Sequence, residues 1–150
     1  MKKLMSISTL ISFILTCCYA FAGEDEEIGY VKKLQGDASI VRDGMMVTVT
    51  MGLAVHLNDL IQTKNNGAVG ITFKDSTMIS IGPDTEFVVD EYVYKPKDKK
   101  LSFASKISRG TLHFVSGNIS KLASNSVNVK TPEGTIGLRG TRFLIKVKGD

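Results

Sequence analysis

From residue 28 onward, apolar and polar residues alternate along most of the chain. Alternation of this kind places successive side chains on opposite faces of a strand, so it predicts β-strands with one buried face. Residues 117–126 are ambiguous, because their apolar positions fit either a loop or a short helical turn. The clearest alternating runs cover residues 68–74, 77–81, 85–94 and 143–147.

Turn-forming residues separate these runs, at the roughly 8–12-residue spacing typical of all-β folds. Asp43-Gly44 has the composition of a two-residue hairpin loop. Asn65-Asn66-Gly67 and Asp75-Ser76 are further turn sequences, and Ser108-Arg109-Gly110 predicts a break between two strands. The fold class is therefore predicted to be all-β, with many short strands. The pattern does not distinguish a β-solenoid-like stack from a sandwich.

Residues 1–22 have the organisation of a secretory signal peptide. Lys2 and Lys3 precede an apolar stretch, and Ala20-Phe21-Ala22 is a small-x-small cleavage pattern. We predict cleavage before Gly23 and a periplasmic or secreted mature protein with no retained membrane span. An uncleaved N-terminal anchor is the alternative, although the apolar stretch is short for a transmembrane helix of about 20 residues.

Both cysteines, Cys17 and Cys18, lie within this leader. The mature chain is therefore predicted to form no disulfide and to have no thiolate nucleophile or cysteine metal ligand. Lipidation at one of these cysteines is a further alternative for the leader, but Thr16 precedes them where lipoprotein signals normally have a smaller residue.

Charge and length describe a small, weakly basic domain. Lys2 and Lys3 are the leader's charged residues, so its removal lowers the formal net charge from +4 to +2. That balance does not predict nucleic-acid binding. Residues 23–27 read Gly-Glu-Asp-Glu-Glu, which predicts a solvated acidic tail. Residues 28–150 then have the length of a single domain.

A motif near the C-terminus, residues 131–141, lies between two alternating runs and combines glycine, threonine, proline and arginine. Glycine permits close approaches and backbone angles that a Cβ forbids. We interpret this C-terminal motif as a corner that holds two strands together. Arg139 is expected to be at least half-buried and paired with a carboxylate or with strand-end carbonyls. The motif residues singled out are Thr131, Pro132, Gly137, Arg139, Gly140 and Thr141.

Four motifs in order resemble the FecR domain, the periplasmic module of ferric-citrate-type sensor proteins. The resemblance covers about residues 28–147. The motifs are Gly29-x-Val31-x-x-Leu34-x-Gly36, Val49-(x)2-Gly52-(x)6-Asp59-x-Ile61-x-Thr63, Ile71-x-Phe73-x-Asp75-x-Thr77-x-Ile79-x-Ile81 and Thr131-Pro132-(x)4-Gly137-x-Arg139-Gly140-Thr141-x-Phe143.

The resemblance implies an all-β periplasmic domain without a catalytic role or a cofactor. In sensor members this domain relays a signal from an outer-membrane transporter to a cytoplasmic sigma factor. The present chain is expected to have no cytoplasmic segment and no retained membrane span. It is therefore expected to resemble the free-standing exported members, with a role in envelope sensing or signalling.

The residues themselves offer little catalytic chemistry. His56 and His113 lie far apart in sequence, and a metal site would need them to meet with a carboxylate such as Asp59. Local ligand spacing of the usual kind is absent, so we predict neither a metal site nor an enzyme. A hydrolase that unites these histidines with carboxylates is the catalytic alternative.

Binding is the predicted mechanism, through a protein partner or self-association. The last alternating run, with Phe143, Ile145 and Val147, has no strand after it and is expected to be an edge open to strand addition. The alternative is an envelope glycan- or lipid-binding protein. That alternative predicts an exposed aromatic cluster beside the lysine-rich loop 95–100, formed by Tyr92, Tyr94 and Phe103.

Overall fold

The computed structural model describes residues 26–149, and most of them belong to twelve β-strands. The predicted leader 1–22, its cleavage site, residues 23–25 of the acidic tail and Asp150 lie outside the described residues. Within the described residues, a 3₁₀ turn covers Pro96–Asp98 and a short helix, α1, covers Asn118–Leu122. The strands are β1 Glu27–Gln35, β2 Ala38–Arg42, β3 Met45–Thr48, β4 Ala54–His56, β5 Leu60–Thr63, β6 Ala68–Phe73, β7 Met78–Ile81, β8 Glu86–Lys95, β9 Lys100–Val115, β10 Val127–Thr131, β11 Gly134–Gly137 and β12 Arg142–Val147.

The strands form one curled sheet with two halves that share β9. The first half has the order β4-β1-β6-β7-β9-β12, and the second has the order β3-β2-β5-β8-β9-β10-β11. Every pairing among the described strands is antiparallel except that of β9 with β10. The all-β prediction is confirmed. A β-helix-type solenoid stacks parallel strands, so the antiparallel order favours facing sheet halves.

Strand β9 passes from one half of the sheet to the other at Gly110. Up to Arg109 it pairs with β8, and from Gly110 onward it pairs with β7 and β12. Gly110 has φ +97°, and a Cβ there would overlap Thr85. The predicted break at residues 108–110 is therefore wrong as a strand end, because glycine allows one strand to bend and continue.

The two halves of the sheet enclose a single hydrophobic core. Phe103 lies at its centre, with edge-to-face contacts to Phe73 (centroids 5.1 Å apart) and Phe114 (5.6 Å). Such geometry places the positive edge of one ring against the negative face of another. Strand alternation supplies the rest of the core, since the buried positions of β6 and β7 follow every second residue.

The hairpin turns follow their predicted chemistry. Asp43 (φ 50°) and Gly44 (φ 78°) join β2 to β3 with positive φ at both positions, as a type I′ turn requires. Ser76 (φ 67°) lies in the turn that joins β6 to β7. The ambiguous stretch 117–126 contains helix α1.

Asp75, predicted to be a turn residue, is completely buried. Its carboxylate accepts hydrogen bonds from the Thr77 hydroxyl (2.6 Å), the Tyr92 hydroxyl (3.1 Å) and the Ile119 amide (3.2 Å). Burial and the Asp75 charge both raise the pKa of Tyr92, so its phenol stays protonated and donates. This network ties the β6–β7 turn to α1 and to β8.

Candidate interaction site at the C-terminal edge

The C-terminal motif forms the β10–β11 hairpin and the link from β11 to β12. Strand β10 pairs with both β9 and β11. The Thr131 hydroxyl donates to the Gly134 carbonyl (3.0 Å) across the turn that contains Pro132. The residues between these strands, Leu138 to Thr141, connect the second half of the sheet to β12 in the first half.

Backbone contacts hold this link in place. The Leu138 amide donates to the Val127 carbonyl (3.0 Å), and the Leu138 side chain is buried. The Ser116 hydroxyl donates to the Gly140 carbonyl (2.6 Å), and the Ser116 amide donates to the Thr141 carbonyl (2.9 Å). Gly140 has φ +129°, in the region that glycine favours.

Arg139 does not have the environment expected from the sequence. It is an exposed residue, and it makes no hydrogen bond or ion pair within residues 26–149. A part-buried arginine–carboxylate pair occurs instead between Arg42 and Asp59. Arg42 Nε and Nη2 donate to the two carboxylate oxygens of Asp59 (2.8 and 2.7 Å), and Nη2 also reaches the Ala54 carbonyl.

The sequence did not single out Arg42, because a charged residue at the end of a strand, next to a hairpin turn, is common and usually solvated. Asp59 offered the better signal, since it occupies a fixed place in the second family-like motif. The pair joins β2 to the segment between β4 and β5, so its role is in the fold.

Strand β12 stands at the end of one of the two sheet orders. Among the described strands it pairs with β9 alone. The Ser116 amide donates a hydrogen bond to the Thr141 carbonyl. Because hydrogen-bonded and non-hydrogen-bonded pairs alternate in an antiparallel ladder, this bond determines which residues of β12 direct their backbone groups toward β9. Backbone groups that point away from β9 therefore belong to the outer residues of β12: Arg142, Leu144 and Lys146.

The same alternation divides the side chains of β12. All three outer residues are exposed, and Leu144 keeps 70% of its surface in contact with solvent. The inner residues of β12 point toward the core, where Phe143 packs on Phe114 with centroids 6.5 Å apart. The inner residues are Phe143, Ile145 and Val147, all partly or fully buried.

A cleft of about 350 Å³ separates β12 from the β10–β11 hairpin. Strand β11 pairs with β10 on one side and is exposed along its whole length. Two sheet edges thus face the same gap. The cleft is lined by Thr131, Glu133, Gly134, Thr135, Ile136, Ile145, Lys146 and Val147.

The aromatic cluster predicted by the glycan or lipid alternative is not on the surface. Phe103 is fully buried, and Tyr92 retains only 7% exposure. The Tyr94 hydroxyl accepts a hydrogen bond from the Asn118 side chain (3.1 Å). That expectation is wrong, because these rings fill the space between the two sheet halves instead of flanking the exposed lysine loop.

The two histidines do not meet. His56 lies on β4 and His113 on β9, and strands β1, β6 and β7 lie between them. Four strand spacings of about 4.8 Å each therefore separate them along the sheet. Within residues 26–149, no three His, Cys, Asp or Glu side chains are grouped to hold a metal ion. No helix in that part of the chain has the length and apolar character needed to cross a bilayer.

A model of the family described as FecR protein matches residues 59–150, which is more than half of the chain. The chain belongs to the FecR family. The matched residues include the C-terminal motif, β12 and the Asp75 turn. The first of the four FecR-like motifs, Gly29 to Gly36, lies outside the matched residues. No curated protein and no solved structure matches the chain.

Proposed function

We propose that this FecR-family chain is a non-catalytic periplasmic or secreted binding module that serves envelope sensing or signalling through contact with another protein. Family membership supports a role in signalling. The observation that carries the binding mechanism is the edge formed by β12, with backbone donors and acceptors directed away from its one partner strand.

An added strand would gain both hydrogen bonds and apolar contact at this edge. The outer residues of β12 supply the backbone groups that a partner strand would pair with. Ile136 supplies exposed apolar surface on one wall of the cleft. Leu144 supplies exposed apolar surface on the solvent-facing side of β12. A segment inserted there would extend the sheet and cover an edge that otherwise invites non-specific pairing.

The acidic side chains with the most enclosed positions support a structural role over catalysis. Asp59 is occupied by Arg42 and by the His56 amide (2.8 Å). Asp75 is occupied by hydroxyl and amide donors. A general acid or base must reach a substrate proton, and both carboxylates are enclosed by their own fold.

Site-specific photo-crosslinking tests the binding mechanism in cells that express the chain. A photoreactive residue at Ile136, on the wall of the cleft, is expected to capture a discrete envelope protein. The same residue at Lys97, in the exposed 3₁₀ turn, is the matched control. A further variant carries both the probe at Ile136 and the substitution Leu144→Pro. The proline removes one outward-facing amide of β12, and we expect this variant to lose the capture.

Leu144→Pro is preferable to Ile145→Pro, because the Ile145 amide faces β9 and its loss would disturb the fold itself. An unchanged thermal unfolding curve for Leu144→Pro confirms that the domain is intact. Equal crosslinking from Ile136 and Lys97, or capture that persists in the proline variant, would contradict binding at this edge.

A further inference from the structure

The free edge of β12 carries a specific charge pattern. Its outer residues read basic, apolar, basic in the order Arg142, Leu144, Lys146, with all three side chains on one face. Within residues 26–149 no ion pair joins Arg142 or Lys146 to a carboxylate. The neighbouring residues of β9 on this face are Thr111, His113 and Val115, so the adjacent strand offers no acidic partner.

Two acidic residues approach one end of this edge. Glu133 lines the far wall of the cleft with Lys146, and Asp84 shares a separate depression with Lys146 and Lys148. In the described part of the chain, neither acidic residue forms an ion pair with these lysines. The edge therefore retains positive charge at both ends of its exposed row.

Pairing with a second copy of β12 does not suit this pattern. An antiparallel pair centred on Leu144 would place Arg142 of each copy opposite Lys146 of the other, and a parallel pair in register would align identical charges. Like charges directly opposite one another destabilise a strand pair. Charge complementarity thus favours a different occupant.

We infer, on the basis of the proposed function, that the partner contributes an extended segment in which alternate residues read acidic, apolar, acidic. These three residues pair opposite Arg142, Leu144 and Lys146. The two residues between them point into the cleft and are apolar, because Ile136, Ile145 and Val147 line it. The segment is thus five residues long, close to the six residues of β12.

Peptide binding to the purified exported chain tests this inference. The probe is a fluorescent peptide with the core Glu-Val-Leu-Val-Glu, compared with peptides that carry Gln or Lys at the two outer positions. Fluorescence anisotropy measures the affinity of each peptide, which is expected to decrease in the order Glu, Gln, Lys. The Glu peptide should bind about tenfold more tightly than the Lys peptide. Added salt should reduce the difference in affinity between the Glu and Lys peptides, because it screens their charges.

Charge reversal on the protein provides the reciprocal test. The double variant Arg142→Glu and Lys146→Glu is expected to reverse the preference, so that the Lys peptide binds more tightly. The control variant, Lys97→Glu and Lys121→Glu, makes the same change in net charge at exposed positions away from β12 and should keep the original order. Equal affinity for all three peptides would overturn the inferred partner chemistry.

Backbone pairing is tested separately, so that failure of the proposed function can be distinguished. In an antiparallel arrangement, the amide of the central Leu in the peptide donates to the Leu144 carbonyl. Methylation of that amide is expected to abolish binding, whereas methylation of the following Val amide, which faces away, should not. Binding that survives both methylations and Leu144→Pro would overturn strand addition itself, and with it the proposed mechanism.

Discussion

At the scale of single residues, two buried carboxylates are stabilised in different ways. Asp59 has a full counter-charge from the Arg42 guanidinium, whose side chain remains 22% exposed. Asp75 relies on neutral donors, chiefly two hydroxyls and an amide. Several hydrogen bonds can satisfy the oxygens of a carboxylate in a protein interior, and Asp75 uses that solution.

The Arg42–Asp59 pair predicts a clear difference between two arginine variants. Arg42→Ala leaves the Asp59 carboxylate buried without its cation, and we expect a loss of about 2–3 kcal/mol in the free energy of unfolding, somewhat below the range for fully buried pairs. Arg139→Ala changes an exposed side chain and should stay within about 0.5 kcal/mol of wild type. Urea unfolding measures both, and equal losses would contradict the assigned environments.

At the scale of elements, β9 determines how the sheet curls. Its first part pairs with β8 and β10, and its last part pairs with β7 and β12. The bend at Gly110 lies against Thr85, whose hydroxyl accepts a hydrogen bond from the Thr111 amide (3.0 Å). Both the backbone angle and the close approach at this bend require glycine.

Two glycine substitutions separate these requirements. Gly44→Ala, in the β2–β3 turn, imposes positive φ where no atom lies within 4 Å, so we expect a loss of about 1–2 kcal/mol. Gly110→Ala imposes positive φ and a collision with Thr85, so its loss should be larger by about 1–3 kcal/mol. Chemical denaturation gives both values. A Gly110→Ala variant as stable as Gly44→Ala would show that the bend accommodates a side chain.

At the scale of the whole molecule, two of the strands that end the sheet orders lie side by side in the FecR-family domain. Strands β11 and β12 end the two sheet orders beside a common cleft. The curled sheet is therefore incomplete at the place where the proposed partner binds. This arrangement separates the stable core, centred on Phe103, from the surface available for recognition.

Export is the condition for this proposed role in the envelope. We expect expression of the full chain in a bacterium to yield a mature protein whose first residue is Gly23, because Ala20-Phe21-Ala22 forms the predicted cleavage pattern. N-terminal sequencing of the periplasmic or culture fraction measures this. Ala22→Asp, which places a charged residue at the cleavage site, should leave the precursor uncleaved. A wild-type protein that keeps Lys2 and Lys3 would contradict a removed leader.

Much of the fold was predictable because its signals are local. The alternation in β6 and β7 identifies both strands, and the Asp43-Gly44 turn identifies the β2–β3 hairpin. Strand β12 also followed from its alternating run. The cleft beside it did not, because its two walls come from strands that are neighbours only after the sheet curls.

Side-chain period and turn conformation depend on residues close together in sequence, and for that reason the amino-acid order alone was enough to establish an all-β chain of short strands. The environments of Arg139, Asp75 and Phe103 depend on strands distant in sequence. The exposure of Arg139, the hydrogen bonds of Asp75 and the burial of Phe103 depend on the bend of β9 at Gly110, which places the two sheet halves around one core.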